Sequence, residues 1–403
     1  LLLKTAIIGG GAAGYFAAIR YKSLHPGHKT VIFEKTGKVL GKVKISGGGR
    51  CNVTHACFVI KDLIGYYPRG ARELIGPFHR FQPADTMKWF EDRGVALKTE
   101  PDGRVFPVSD KSQTIIDCLT GEAERLGIEL HTSQDLESIG LGESGGFQLQ
   151  FAGKPGHVFA DRLIVTTGSS EKVWKILETM GHRILPPVPS LFTFNIRDER
   201  LLDFQGLTWP DVEVRDLDFG HRATGPLLIT HWGLSGPAVL KLSAIGALDF
   251  HKAGYRFEIA VNFMFPDKED VVAAVFQKLK QNHPNKLVSQ SPPGPFTARL
   301  WQSWSSLWGF GNKTWQEVSM KEIGFMARQI TEAKFKVDGK STFKEEFVTC
   351  GGVDLKEVDL KTMESKKIPG LYFAGEVLNI DALTGGFNFQ AAWTTGWLAG
   401  SHG

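Results

Sequence analysis

The sequence is poor in cysteine, with four in 403 residues, and so excludes a disulfide framework as its source of stability. Cys51 and Cys57 stand six positions apart, while Cys118 and Cys350 are isolated. No CxxC pair is present to shuttle electrons as in a disulfide reductase. No Cys/His spacing offers a four-ligand zinc site, so no metal is expected. Charge of one sign is also scarce: 47 Lys+Arg against 43 Asp+Glu leave a formal net charge of +4. That balance predicts no extended nucleic-acid surface and no nucleic-acid partner, while leaving room for a local basic groove. No run approaches the roughly 20 apolar residues of a membrane span. Leu1-Leu2-Leu3-Lys4 passes into a glycine motif without a signal-peptide cleavage segment, which predicts a soluble, cytoplasmic protein.

Glycine, by contrast, is plentiful, with 46 residues, and clustered. The apolar run Thr5–Ile8 leads into Gly9-Gly10-Gly11-Ala12-Ala13-Gly14 and then Tyr15-Phe16-Ala17-Ala18-Ile19. This is the order strand, tight turn, helix. Gly9 makes the turn, Gly11 lets backbone approach a pyrophosphate, and Gly14, after Ala13, allows close helix–strand packing. The helix start supplies free amides and a positive dipole end. A second strand, Thr30–Phe33, ends in Glu34, twenty residues after Gly14, where a carboxylate can hold ribose hydroxyls; Lys35 follows it. The bland alternative is a glycine-turn βαβ unit without a cofactor.

A second cluster is less generic: Gly41-Lys42-Val43-Lys44-Ile45-Ser46-Gly47-Gly48-Gly49-Arg50-Cys51-Asn52. Adjacent glycines, Gly48 among them, expose amides and permit positive φ. Arg50 offers a fork of donors for phosphate or a substrate carboxylate. Lys42, Cys51 and Asn52 join the candidate cofactor residues, Asn52 at a flavin edge or fixing the loop. A structural glycine loop is the competing account. Near the end, Ile368–Phe373 reads as a turn and short strand, followed by Gly375-Glu376, Asp381, and Thr384-Gly385-Gly386-Phe387-Asn388 before a helical stretch. Such a helix can aim free amides at electron-rich positions of an isoalloxazine ring and stabilise its reduced form. Glu376 or Asp381 then bonds a ribityl chain or anchors the turn. These motifs lie more than 300 residues from the first, so one domain is split around an insertion.

Taken together, the Gly9–Gly14 motif, the Ile45–Asn52 segment, and Gly375-Glu376 through Asn388 resemble the HI0933-like flavoproteins, the YhiN and BaiN-like group also called aminoacetone oxidase family FAD-binding enzymes. Thr230-His231-Trp232-Gly233-Leu234-Ser235-Gly236-Pro237 resembles the same family, and the resemblance runs the length of the chain. It departs at Asn379 and Ala382, where the family usually has aspartate and glycine. The resemblance implies an α/β fold, a glutathione-reductase-like Rossmann domain binding FAD non-covalently, split by an inserted β-rich domain with a helical subdomain. It also implies either reduction of conjugated carbon–carbon double bonds in steroid-like acids or amine oxidation.

The intervening sequence gives bounds for this division. Arg162–Gly168 reads as an apolar strand returning to the FAD crevice at Gly168, with Phe147–Phe151 and His157–Ala160 as a separate hairpin. Helices are expected over Ala84–Arg93, over Ser112–Leu126 with Ser112 as N-cap, and over Glu171–Met180. Leu185-Pro186-Pro187-Val188-Pro189 breaks any helix and marks the domain exit. Residues 1–188 and 341–403 therefore form the FAD-binding part, and 189–340 the substrate-side insertion, helical over about 265–332. In the insertion, Ser235 is read as capping a helix to Ala247, Thr314–Ile330 as one helix, and Trp301, Trp304, Trp308 and Trp315 as a packed core.

His231 is the leading titratable candidate for substrate-side proton transfer, with Arg50 as an anion binder beside it; a local structural donor is the alternative for the histidine. No second GxGxxG unit is evident, so NADH or NADPH is expected only as a transient donor. The preferred chemistry is hydride transfer from reduced flavin to a conjugated double bond. The alternatives are an amine or amino-acid oxidase producing peroxide, and a non-catalytic flavin-bound redox or interaction module. The expected partners are a small-molecule substrate, hydrophobic or anionic, and a redox partner.

Overall fold

The computed structural model describes residues 2–142, 145–341 and 348–403. The chain divides into two compact units, Leu1–Pro189 with Lys344–Gly403, and Ser190–Phe343. The first unit is built on strands β1 (Leu2–Ile8), β2 (Thr30–Phe33), β3 (Glu129–His131), β4 (Val158–Val165) and β5 (Leu371–Phe373), in the spatial order β5-β4-β1-β2-β3. All of these pairs are parallel. Ala6, Ile7, Val31, Ile32, Leu163 and Ile164 are fully buried, as expected of a parallel sheet covered on both faces.

Helix α1 (Ala12–Leu24) follows β1, and helix α2 (Phe387–His402) packs along it. Their contact is close because α2 presents glycines there. A Cβ at Gly396 would lie 2.7 Å from the Ala13 carbonyl oxygen, and one at Gly400 2.3 Å from that of Ala17. Phe16 on α1 meets Trp393 on α2 at a ring separation of 5.1 Å. The first and last glycine motifs thus belong to one core.

Several elements differ from the sequence expectation. His157–Ala160 and Arg162–Val165 are not two strands but the single strand β4, antiparallel to Phe147–Phe151 over its first half and parallel to β1 along its length. Its exposed Asp161 pairs with Lys4 instead of ending the strand. Ser112 is the first helical residue, not the cap; its hydroxyl donates to the Lys44 carbonyl at 2.7 Å and ties this helix to the glycine-rich segment. Ile184–Ser190 is extended despite its prolines and pairs with Val348–Val353 in a two-stranded ribbon, where a missing amide is tolerated on the open edge.

The second unit carries an antiparallel sheet in the order Ala333–Asp338, Arg256–Asn262, Thr208–Asp216, Arg222–Thr230, Gly233–Ser235, Thr193–Asn195, Lys340–Ser341. Period-2 burial is clear in Ala333–Asp338, with Ala333, Phe335 and Val337 inward and Lys334, Lys336 and Asp338 outward. Ser235 ends a strand and bonds Thr193, and Gly236 caps the helix Pro237–Ile245. Thr314–Ile330 is interrupted: Ser319 and Glu322 form a capping box that starts a new helix, Met320–Thr331. Trp301, Trp304 and Trp315 are fully buried in the helical part. The indoles of Trp301 and Trp304 donate to the Val288 and Arg200 carbonyls at 2.7 Å each. Among the described residues no helix is long and apolar enough to cross a membrane.

Candidate functional site

The register of the first sheet sets the site. Ile8 is opposite both Phe33 and Val165, and Val165 is opposite Phe373. These strands therefore stop at one level, and the residues that follow them, Gly9, Glu34, Thr166 and Ala374, line a single edge. Ligands of open α/β sheets bind outside this carboxyl edge.

Gly9 takes φ +112°, and a Cβ at Gly14 would sit 2.0 Å from the Gly9 carbonyl oxygen. Sequence therefore dictates the tight strand-to-helix turn. Gly11 is the N-cap of α1, with no capping side chain, no acid in the first turn, and open space where a Cβ would project. Ala13 packs under Gly375, whose Cβ would lie 2.9 Å from the Ala13 methyl. Glu34 accepts from the Gly10 amide at 2.8 Å and from the Thr36 amide and hydroxyl at 2.9 and 2.8 Å, so its carboxylate is held over the turn. Lys35 is exposed beside it.

The second glycine cluster is not a regular helix. Gly47, Gly48, Gly49 and Cys51 all have positive φ, and Gly48 and Gly49 face open space. Arg50 donates to Glu100 at 2.7 Å, lies 3.5 Å from Asp110, and stacks 4.0 Å over Phe106. It is engaged by protein carboxylates. Cys51 is wholly buried, and burial pushes its thiol up to about 12, which removes it as a nucleophile. Asn52 Oδ1 is buried without a hydrogen-bond partner among the described residues, and a Cβ at Gly386 would come within 2.8 Å of it.

From the other end of the chain, Glu376 accepts from Lys42 and, at 3.0 Å, from the Thr349 amide. A Cβ at Gly168 would lie 3.6 Å from this carboxylate. The Gly375 amide donates to Thr395 at 2.9 Å. Gly386, φ +92°, is the uncapped start of α2, and a Cβ there would strike the Thr54 carbonyl oxygen at 2.6 Å. Phe387 stacks on Tyr66 at 4.0 Å and on His55 at 4.6 Å. The Asn388 amide closes on both backbone groups of Ala382 at 2.9 Å each. Asn379 accepts from the Gly351 amide at 3.0 Å. At the two positions that depart from the family pattern, the loop is therefore held by side chain and backbone within the protein.

Asp381 is fully buried and forms a two-pronged ion pair with Arg69, whose side chain is 12% exposed. Arg69 was missed in the sequence: Tyr66-Tyr67-Pro68-Arg69-Gly70 carries no motif, and its partner is 312 positions away. The remaining candidate, His231, is exposed at the hairpin turn between Arg222–Thr230 and Gly233–Ser235 of the second unit. Among the described residues no cluster of His, Cys, Asp and Glu is fit for a metal ion.

The donor set suits a dinucleotide. The uncapped start of α1 with open space at Gly11 fits a pyrophosphate, and Glu34 at the end of β2 fits a ribose. The uncapped start of α2 and the unpartnered Asn52 oxygen fit a polar heterocycle.

Comparison with known proteins agrees with this geometry. The model of the HI0933-like protein Rossmann domain family matches residues 3–402. A ribosomal RNA dihydrouridine synthase of Escherichia coli is 28% identical over 97% of this chain and 95% of its own. A 3-dehydro-bile acid delta(4,6)-reductase of Clostridium scindens is 27% identical over 98% of both chains. Among solved structures, the 3-ketosteroid-delta4-(5alpha)-dehydrogenase of Rhodococcus jostii RHA1 shares the fold, with a TM-score of 0.53, 14% identity, and coverage of 100% of this chain and 96% of that one.

Proposed function

The chain belongs to the HI0933-like family, and from that membership we propose that it is an FAD-dependent reductase of a carbon–carbon double bond conjugated to a carbonyl group. The observation that carries this is the common level of the strand ends, which gathers Gly9, Glu34, Gly168 and Glu376 with the uncapped start of α1 on one edge. The names of the relatives share a single bond chemistry. Dihydrouridine is uridine with its C5–C6 double bond reduced, and that bond is conjugated to a carbonyl, as is the diene of a 3-oxo-4,6-diene bile acid.

When bound, FAD supplies a two-electron carrier able to pass hydride to the electron-poor end of such an alkene. The chain's part is binding and electrostatics. The start of α1 holds the phosphates, and Glu34 holds the ribose. The Gly385-Gly386 turn and the first amides of α2 stabilise negative charge gathered on the ring. Glu376, held by Lys42, faces the ribityl region. Arg50, fixed by Glu100, Asp110 and Phe106, anchors the glycine segment. His231, exposed in the second unit, remains the proposed proton-transfer residue on the chemistry of its side chain alone. NADH or NADPH is the proposed donor.

Of the two substrate types, a uracil ring in RNA is the first to offer. This revises the expectation of no nucleic acid, which rested on overall charge. Lys35, Lys38, Lys42 and Lys44 form a local basic run, all of them exposed, that suits a polyanion. The test is anaerobic: bleach the flavin band with each nicotinamide, then add uridine-containing RNA or a 3-oxo-4,6-diene steroid acid. Return of the band with two hydrogens gained by one acceptor is expected. Sustained peroxide with amines, and no reoxidation by either alkene, would overturn the reductase in favour of an oxidase.

A further inference from the structure

The segment Tyr66–Gly70 grips the loop before α2 at successive points. The Leu383 amide donates to the Tyr66 carbonyl at 2.8 Å, and Arg69 and Asp381 face each other in an antiparallel bridge. The buried Tyr67 hydroxyl donates to the Phe387 carbonyl at 2.6 Å. Tyr66 lies flat on the Phe387 ring, with 12° between planes. Gly70 leaves room for Ile380, whose Cγ1 would be 2.8 Å from a Cβ placed there. The loop these contacts hold ends in the Gly385-Gly386 turn and the free amides of α2.

A buried ion pair is an inefficient source of stability, because well-packed apolar residues of similar volume often do as well. What it supplies is direction. A guanidinium fork meeting a carboxylate at both oxygens fixes rotation as well as distance. We propose that Arg69 and Asp381, with Tyr67, are positioning residues that set the placement of the α2 N-terminus and thereby tune how strongly the protein favours reduced over oxidised FAD; this rests on the FAD reading above. Neither residue need touch the ring. The positive end of a helix acts over about its first turn, so its placement matters most for the form of the ligand that carries charge. Loosening the strap therefore weakens reduced FAD more than oxidised FAD.

The experiment measures FAD affinity and two-electron midpoint potential of the holoprotein by anaerobic dye equilibration. Arg69→Lys, Asp381→Asn and Tyr67→Phe are compared with Arg93→Lys. The last loosens a part-buried pair with Glu122 elsewhere in the unit and controls for generic loosening. We expect Arg69→Lys and Asp381→Asn to load FAD while the affinity ratio of reduced to oxidised flavin falls roughly tenfold, about 30 mV for a two-electron couple. Tyr67→Phe should lower it about threefold, and Arg93→Lys should leave it unchanged. Loaded, folded variants with the wild-type potential, or an equal shift in Arg93→Lys, would overturn the inference. If Arg69→Lys and Asp381→Asn do not fold, Tyr67→Phe decides alone. A wild-type protein that takes up no FAD overturns the cofactor reading together with this inference, whereas a loaded wild type with unresponsive variants overturns only the latter.

Discussion

Helices α1 and α2 begin alike and are held differently. Each starts at a glycine N-cap with no capping side chain and no acid in its first turn. The turn into α1 is made within a few residues, by Gly9 and by the contact that Gly14 permits, with Thr166 and Gly375 closing on it. Beyond the local tie of Asn388 to Ala382, the start of α2 is fixed from Tyr66–Gly70, more than 300 positions earlier in the chain. A terminus made locally leaves its signature in consecutive residues. One made at a distance does not.

The largest effect should come from leaving a charge stranded at the distant fastening. Asp381→Ala strips Arg69 of its buried partner and is expected to cost about 3–5 kcal/mol, read by urea unfolding. A nearly unchanged midpoint would mean that α2 is held by its packing on α1 instead. Gly14→Ala attacks the local fastening. Its methyl would lie 2.0 Å from the Gly9 carbonyl oxygen, so helix and strand must separate, at about 1–3 kcal/mol and with loss of FAD binding.

Gly11→Ala separates binding from stability. Its backbone lies at φ −92° and its Cβ would meet nothing within 4 Å, so unfolding should change by less than about 0.5 kcal/mol. The same methyl fills the space proposed for the pyrophosphate, so FAD should bind at least roughly tenfold more weakly, about 1.4 kcal/mol. Titration of the apoprotein with FAD checks this, and unaltered affinity would move the phosphates away from α1.

The effect that is smallest near neutral pH concerns Cys51. Burial raises its thiol from about 9 to about 12, so the folded chain keeps a proton that the unfolded chain has lost. Stability should therefore fall as pH rises from about 9 towards 12, and be insensitive to this group below that range. At pH 8 a thiol reagent should leave Cys51 unmodified until the protein is denatured, while the half-buried Cys57 and Cys118 can react; rapid labelling located at Cys51 by peptide mapping would show that the segment opens.

Much of the fold was legible because its signals are local. Gly9–Gly14 and Glu34 lie in one βαβ unit, and the tryptophans near helical spacing marked a core in which Trp301, Trp304 and Trp315 are buried and Trp308 packs half-buried against them. What was misread turned on partners remote in sequence. Asp161 fell between two expected strands, but it lies within β4, where its exposed carboxylate pairs with Lys4. Ser112 looked like a cap, but its hydroxyl serves the Lys44 carbonyl. In the candidate site, Gly386 and Asn388 were visible as a motif. Arg69 was not, since a lone arginine in a tyrosine-rich turn has meaning only beside Asp381.

The glycine seam between α1 and α2 bears on how the protein is made. Ala13 and Ala17 emerge from the ribosome early, while Gly396 and Gly400, which cover them, emerge only after the entire second unit. At about 5–20 residues per second, the apolar flank of α1 waits between roughly 20 and 80 s for its cover. During synthesis the nascent first unit is thus an unfinished half, with the second unit free to fold ahead of it. Its demand for chaperones should peak in that interval and end when the last helix docks.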